Sequence, residues 1–179
     1  MNADSQSTAR ANDAWGRVVA KTLVDLGVKT VVFSPGSRST PLILGCEAQD
    51  GLRTIPILDE RSAAFFALGL SKRTRTPTAL ICTSGSAPTH WFPAVVEADH
   101  SACPLLLLSA DRPPELQDCG AGQTINQVEL FGQFVRAFHQ ILLPDQSEMS
   151  LQGLREVIVH AYSEAMGKNP GPVHLNFPF

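Results

Sequence analysis

Long apolar runs are missing from this 179-residue sequence: the longest, 104–108, is far short of the roughly 20 residues that a membrane-spanning helix needs. No membrane span is expected. Residues 1–11 lack an apolar segment behind a basic start, so no secretory signal is read there, and a cytoplasmic protein with a flexible 1–11 tail is expected. Cysteine is scarce and scattered: Cys46, Cys82, Cys103 and Cys119 stand singly, with no CxxC pair and no histidine at ligand spacing. The pattern argues against a disulfide framework and against a zinc site, and leaves reduced, mostly buried thiols as the expectation. Charge is low as well. Lys and Arg total 14 against 17 Asp and Glu, for a net −3, and the basic residues are dispersed, so nucleic acid is not an expected partner. At 44% hydrophobic and 17% charged, the chain is far from the composition of disorder, and its length suits one domain.

What is present is an alternation. Asn12 and Asp13 can cap a helix whose face carries Val18, Val19, Leu23 and Leu26 and which closes at Gly27. A β-branched strand at 30–33 ends in Ser34, Pro35 and Gly36. Ser39 and Thr40 can cap a helix to about Ala48, with Pro41 in its first turn, and 53–58 reads as the next strand. Asp59 and Glu60 open a helix over 61–71 in which Ala63, Ala64, Ala67 and Gly69 allow close packing. Residues 78–82 form a nearly wholly apolar strand, expected in the sheet centre. A helix to about Asp99, the apolar strand 104–109 and a long polar loop over 110–124 follow. A short helix at 128–132, an extended piece at 134–142, an amphipathic helix at 147–167 and a strand at 172–176 complete the reading. Such alternation predicts an α/β fold: a three-layer α/β/α sandwich around a mainly parallel, about six-stranded sheet. The chain stops directly after a strand, which suggests a piece of a longer protein.

Ligands of such sheets bind beyond the carboxyl ends of the strands. Four loops there carry Ser37, Arg38, Glu60, Ser84, Asp111, Arg112 and Gln123. The loop SPGSRSTP resembles a phosphate-cradling turn at a helix start, yet no GxxxxGK[ST] and no GxGxxG follows a strand, which disfavours a nucleotide site. Arg38 is suited to clamping a carboxylate through two parallel hydrogen bonds, or is a surface arginine near a helix start. Glu60 enters a helix of small apolar residues, where desolvation would raise its proton affinity. An ordinary first-turn acid favoured by the helix dipole fits the pattern equally. Arg112 is an anion clamp or the partner of Asp111 or Glu115. His90, His100, His139, His160 and His174 are isolated from any nucleophile motif and are read as structural.

As a set, SPGSRSTPL, DERSAAFFALGLSK, CTSGSA with FPAVVEA, PLLLLSADRPPELQDCGAGQTINQ and GPVHLNFPF resemble a known family over residues 12–179. It is the 2-succinyl-5-enolpyruvyl-6-hydroxy-3-cyclohexene-1-carboxylate synthases, thiamine-diphosphate enzymes of menaquinone and phylloquinone biosynthesis. The resemblance implies that 12–179 is the N-terminal pyrimidine-binding domain and that the middle and diphosphate-binding domains are absent from this chain. It implies a transferase that decarboxylates 2-oxoglutarate and adds the resulting succinyl carbanion equivalent to isochorismate. Glu60 matches the glutamate that hydrogen-bonds N1′ of the cofactor's aminopyrimidine, with Pro35, Gly36 and Ser84 also at the cofactor. Ser37, Arg38, Arg112 and Gln123 match substrate contacts. The implied cofactors are thiamine diphosphate and Mg2+ or Mn2+, with no metal ligand in this chain, since the family's GDG motif is absent. The implied partner is the diphosphate-binding domain of a second subunit, in a homodimer or homotetramer, and the isolated fragment is expected to be inactive. Two positions depart from relatives: Gly122 stands where some carry Asn, and Ser86 where Thr is commoner. The alternatives are another thiamine-diphosphate decarboxylase or synthase, and a non-catalytic module of the same fold that binds a small carboxylate.

Overall fold

The central strands form where β-branched and apolar residues predominate, and helices fill the intervals. The structure, a computed structural model, describes residues 3–179. In chain order its elements are α1 (Ala3–Asp25), β1 (Thr30–Phe33), α2 (Thr40–Glu47), β2 (Arg53–Pro56), α3 (Glu60–Thr74) and β3 (Thr78–Cys82). They continue with α4 (Phe92–His100), β4 (Leu105–Asp111), β5 (Phe138–Gln140), α5 (Glu148–Ala165) and β6 (Pro172–Pro178). The strands make one sheet in the order β2-β1-β3-β4-β6-β5, and every pairing is parallel.

Successive residues of the central strands serve opposite layers, as the two-residue period of a strand requires. From β3, Ala79 and Ile81 join Trp15, Leu23, Leu42 and Ile158 in one core, while Leu80 and Cys82 join Ala64, Leu68, Trp91 and Val95 in the other. The three-layer sandwich expected from the sequence is therefore present, with α1, α2 and α5 on one face and α3 and α4 on the other. The strand order reverses direction between β1 and β3, which places the crevice of a doubly wound sheet beyond the ends of those two strands.

Four details differ from the sequence reading. The expected loose tail is helical: α1 reaches back to Ala3, because nothing between there and Trp15 is glycine or proline. Ala11 is buried, Asp13 pairs with Arg17 instead of capping, and Met1 and Asn2 lie outside the described residues. The expected helix at 128–132 is a set of turns ending in a 3-10 turn at Gly132–Phe134, since Glu129 and Gly132 adopt left-handed φ of 51° and 50°. Ala110 and Asp111, assigned to the loop, continue β4 because β6 runs on beside them as far as Pro178. Gly69 does not contribute to close packing; it faces solvent, and Ala63, Ala64 and Ala67 make the contact with the sheet.

Candidate functional site

The ends of β1 and β3 are drawn together by a missing side chain. Ser34 continues the β1 ladder by donating its amide to Ile81 O at 2.9 Å, and Gly36 follows in extended backbone that any residue adopts. What demands glycine there is contact: a Cβ on Gly36 would lie 2.4 Å from Thr83 Cβ. At the facing turn, Gly85 sits at φ +81°, where an L side chain is strained, and a Cβ would meet Gln123 at 2.9 Å. The two glycines let the loops after β1, β3 and β4 touch.

Three of the sequence-predicted residues interlock on one side of this contact. Ser84 Oγ donates to Gln123 O at 3.0 Å, and Gln123 Nε2 reaches back to Ser84 O at 3.3 Å and Thr83 Oγ1 at 3.4 Å. Gln123 adopts φ +59°, an uncommon conformation for a residue with a side chain. Arg112 Nη2 donates to Gly122 O at 2.9 Å, so position 122 contributes through its backbone carbonyl and needs no side chain to do so. The Arg112 Nε is buried and unpartnered.

Arg38 arrives from the 3-10 turn Ser37–Ser39 that precedes α2, and its Nη1 donates to Phe179 O just beyond β6. It is half-buried, and burial followed by the like charge of Arg112 lowers the proton affinity of its guanidinium. The two arginines are thus near enough to feel each other, an arrangement that an anion between them would relieve. Pro35 and Ser37 are exposed on the same rim.

Glu60 is the first residue of α3, whose cap is Asp59, with Oδ1 accepting the Ser62 amide at 2.7 Å. Glu60 is half-buried rather than enclosed. It faces the end of β3: burial first, and then the Glu60 charge, hold the Cys82 thiol well above its ordinary range. Leu58 is 83% exposed just before Glu60, and Phe65 and Phe66 are exposed further along α3. An apolar surface therefore lies open beside the carboxylate. The site is a shelf with one wall; a cleft of about 440 Å³ lined by Val18, Thr22, Asp25 and Arg155 lies away from it, between α1 and α5.

Beneath the shelf is a buried polar network that sequence reasoning missed. Gln127 Oε1 accepts the Gly85 amide at 2.9 Å, and its Nε2 donates to Ala110 O at 3.1 Å and Asn176 Oδ1 at 2.8 Å. Asn176 Nδ2 donates to Asp111 Oδ2 at 2.7 Å, while Asp111 Oδ1 accepts the Arg112 amide at 2.7 Å. Ser109 Oγ also donates to Asn176 Oδ1, at 2.8 Å. The signal available was His174 and Asn176 inside an otherwise apolar strand pattern; polar residues at the centre of a parallel sheet must find partners there.

With the Ser109 hydroxyl proton given to Asn176, the 2.7 Å contact between Ser109 Oγ and His174 Nε2 places the imidazole proton on Nε2 and leaves the buried Nδ1 bare. Burial pushes the pKa of His174 down to about 3 from 6.5. As pH falls below 6.5, the unfolded chain takes up a proton that the folded chain refuses. The stability from burying neutral His174 is fully present above that pH and is lost progressively toward pH 3. Denaturant titrations should show this group removing on the order of 1–2 kcal/mol between pH 6.5 and 5, a loss absent from His174→Gln. Equal pH slopes for the two proteins would refute the assignment.

No group of three or more His, Cys, Asp and Glu that could hold a metal ion occurs among the described residues. The residues do fit the pyrimidine half of thiamine diphosphate. A half-buried carboxylate offers a partner for a ring nitrogen, and open apolar surface offers a platform for the ring.

The chain is similar to known proteins along nearly its whole length. The chain is 49% identical over 173 residues to the 2-succinyl-5-enolpyruvyl-6-hydroxy-3-cyclohexene-1-carboxylate synthase of Natronomonas pharaonis, covering 97% of this chain and 30% of that protein. It is 51% identical over 167 residues to the synthase of the same name from Synechococcus sp. strain JA-3-3Ab, covering 93% of this chain and 28% of that protein. The corresponding figures for Thermosynechococcus vestitus are 50% over 171 residues, 96% and 30%. The chain thus spans about 30% of the length of these relatives. Residues 14–130, well over half of the chain, match the family described as thiamine pyrophosphate enzyme, N-terminal TPP binding domain. With a Glu60 shelf at the switch point of a parallel sheet, the chain belongs to the thiamine pyrophosphate enzymes as an N-terminal TPP binding domain.

Proposed function

We infer that this chain is the pyrimidine-binding part of a thiamine-diphosphate-dependent synthase that decarboxylates 2-oxoglutarate and joins the remaining four-carbon unit to isochorismate. The observation that carries the reading is the pair Arg38 and Arg112, which feel each other's charge while bonded to the carbonyls of Phe179 and Gly122. Both proposed substrates bear carboxylates, and a guanidinium fork matches that group in shape and charge. Thiamine diphosphate, when bound, supplies the carbanion chemistry. Glu60 would hold or give a proton at the pyrimidine, Gly36 would keep the backbone close to it, and Arg38, Arg112, Ser37 and Gln123 would orient the anionic substrates. The exposed Leu58, Phe65 and Phe66 favour a shelf completed by the diphosphate-binding domain of a second subunit, where Mg2+ or Mn2+ would also be held. A cytoplasmic homo-oligomer follows from that reading.

The test uses the full-length protein of which this chain forms the N-terminal part. Consumption of 2-oxoglutarate should depend on isochorismate, thiamine diphosphate and Mg2+ together. Arg38→Met should lower kcat/KM for a carboxylate substrate by about 30-fold, the lower end of the cost of truncating one partner of a charge pair. A folded, cofactor-bound wild type without turnover would move the small-carboxylate binding module to the front. Turnover of 2-oxo acids without isochorismate would favour another thiamine-diphosphate decarboxylase.

A further inference from the structure

The buried network under the shelf has a direction. Gln127, Asn176 and Asp111 are 1%, 0% and 2% exposed, so their polar atoms have no recourse to water. The two amide hydrogens of Gln127 go to Ala110 O and Asn176 Oδ1, and those of Asn176 go to Asp111 Oδ2 and, at 3.0 Å, to Gln140 Oε1. Neither amide can turn over without facing donor to donor or acceptor to acceptor. The donors therefore run in one orientation from the Gly85 amide through Gln127 and Asn176 to Asp111, whose carboxylate accepts the Arg112 amide from the other end. This path joins the turn after β3 to the loop after β4 by way of β6.

Packing alone gives no reason for these residues. Apart from Ser109 and His174 their neighbours in β4 and β6 are apolar, and replacing a buried polar group set by well-packed hydrophobic residues is often neutral or stabilising. What polar groups add is a single geometry. Between the two tied ends lies Gln123 at φ +59°, a conformation that persists only where the surroundings over-determine it. We propose that Gln127, Asn176 and Asp111 form a positioning relay that fixes Arg112 relative to the Ser84–Gly85 turn, so that substrate and cofactor sides of the shelf keep one spacing. None of the three touches the open shelf; each acts through the backbone it holds. The bearing of the relay on turnover rests on the synthase reading above, whereas its hold on Arg112 does not.

The test compares full-length wild type with Asp111→Asn, Asn176→Asp, the two combined, and Gln127→Met. Each single exchange at 111 or 176 sets like atoms face to face. The combined exchange restores the bond in reverse, because the new amide at 111 donates to the new carboxylate at 176, which still accepts from Ser109 and Gln127. Two readouts are taken: kcat and KM with the Kd for thiamine diphosphate, and the rate of phenylglyoxal labelling of Arg112 followed by peptide mass.

Each of the two single variants is expected to lose about 10- to 100-fold in kcat/KM for the carboxylate substrate, the scale of a small misplacement of a binding group. Labelling of Arg112 should quicken in step. Thiamine diphosphate should bind them as tightly as wild type, and the combined exchange should recover both lost properties. Gln127→Met, which cuts the path at Gly85, should weaken thiamine diphosphate binding as well. Labelling and kcat/KM at wild-type values in the folded single variants would overturn the relay, as would a combined exchange no better than either single. If the single variants do not fold, Gln127→Met decides: faster Arg112 labelling than in the combined exchange upholds the relay, and equal labelling overturns it. A wild type that consumes neither substrate sinks the synthase reading, and the labelling arm still judges the relay.

Discussion

Glu60→Gln in the full-length protein is expected to lose roughly 10²- to 10⁴-fold in turnover, the range a positioned acid or base contributes. Glutamine keeps the volume of the side chain and its capacity to hydrogen-bond, but it cannot carry a proton to or from a ring nitrogen. The fold should not notice the exchange, because the cap of α3 is Asp59 and Glu60 is half-buried at the helix start. Turnover and thiamine diphosphate affinity measured side by side check the claim: turnover collapses while affinity shifts far less. A variant that keeps more than about a tenth of wild-type turnover would remove Glu60 from the proposed proton chemistry.

The largest effect on stability should come from a residue with no side chain. Where α1 and α2 cross, a Cβ on Gly45 would lie 2.3 Å from the carbonyl carbon and oxygen of Gly16, and a Cβ on Gly16 would lie 2.1 Å from Pro41 O. These obstacles are backbone and cannot swing aside. Gly45→Ala must therefore separate two helices that carry Trp15, Val19, Leu23 and Leu42 into the core. A loss of about 3 kcal/mol is expected, the upper part of the usual cost of overpacking. The same exchange at Gly69, in the exposed middle of α3 with nothing within 4 Å, should instead stabilise by up to about 1 kcal/mol. Denaturant midpoints of the two variants should move in opposite directions, and a Gly45→Ala protein as stable as wild type would show that the crossing can relax.

Much of this was legible in the residue pattern. β1 and β3 begin and end where their apolar runs do, and α3 starts where Asp59 offers a cap. Glu60, Arg38, Arg112, Ser84 and Gln123 could be named because they follow strand ends, where an α/β sheet exposes its loops. What escaped were features without a local period. The α1 extension escaped because Asn12 and Asp13 look like caps, yet good helix formers precede them. The turns at 128–132 escaped because left-handed backbone at Glu129 leaves little trace in residue type.

The sequence by itself determined the alternation of strand and helix, the apolar strands that must be covered on both faces, and the charged residues at their carboxyl ends. These follow from interactions within one element or its caps, which a one-dimensional pattern records. Tertiary structure decided the order β2-β1-β3-β4-β6-β5, and with it the meeting of Gly36 with Thr83, of Arg38 with Phe179 O, and of Gln127 with Gly85 and Asn176. Those partners are far apart in the chain, and only the packing of helices onto a particular strand order brings them within bonding distance.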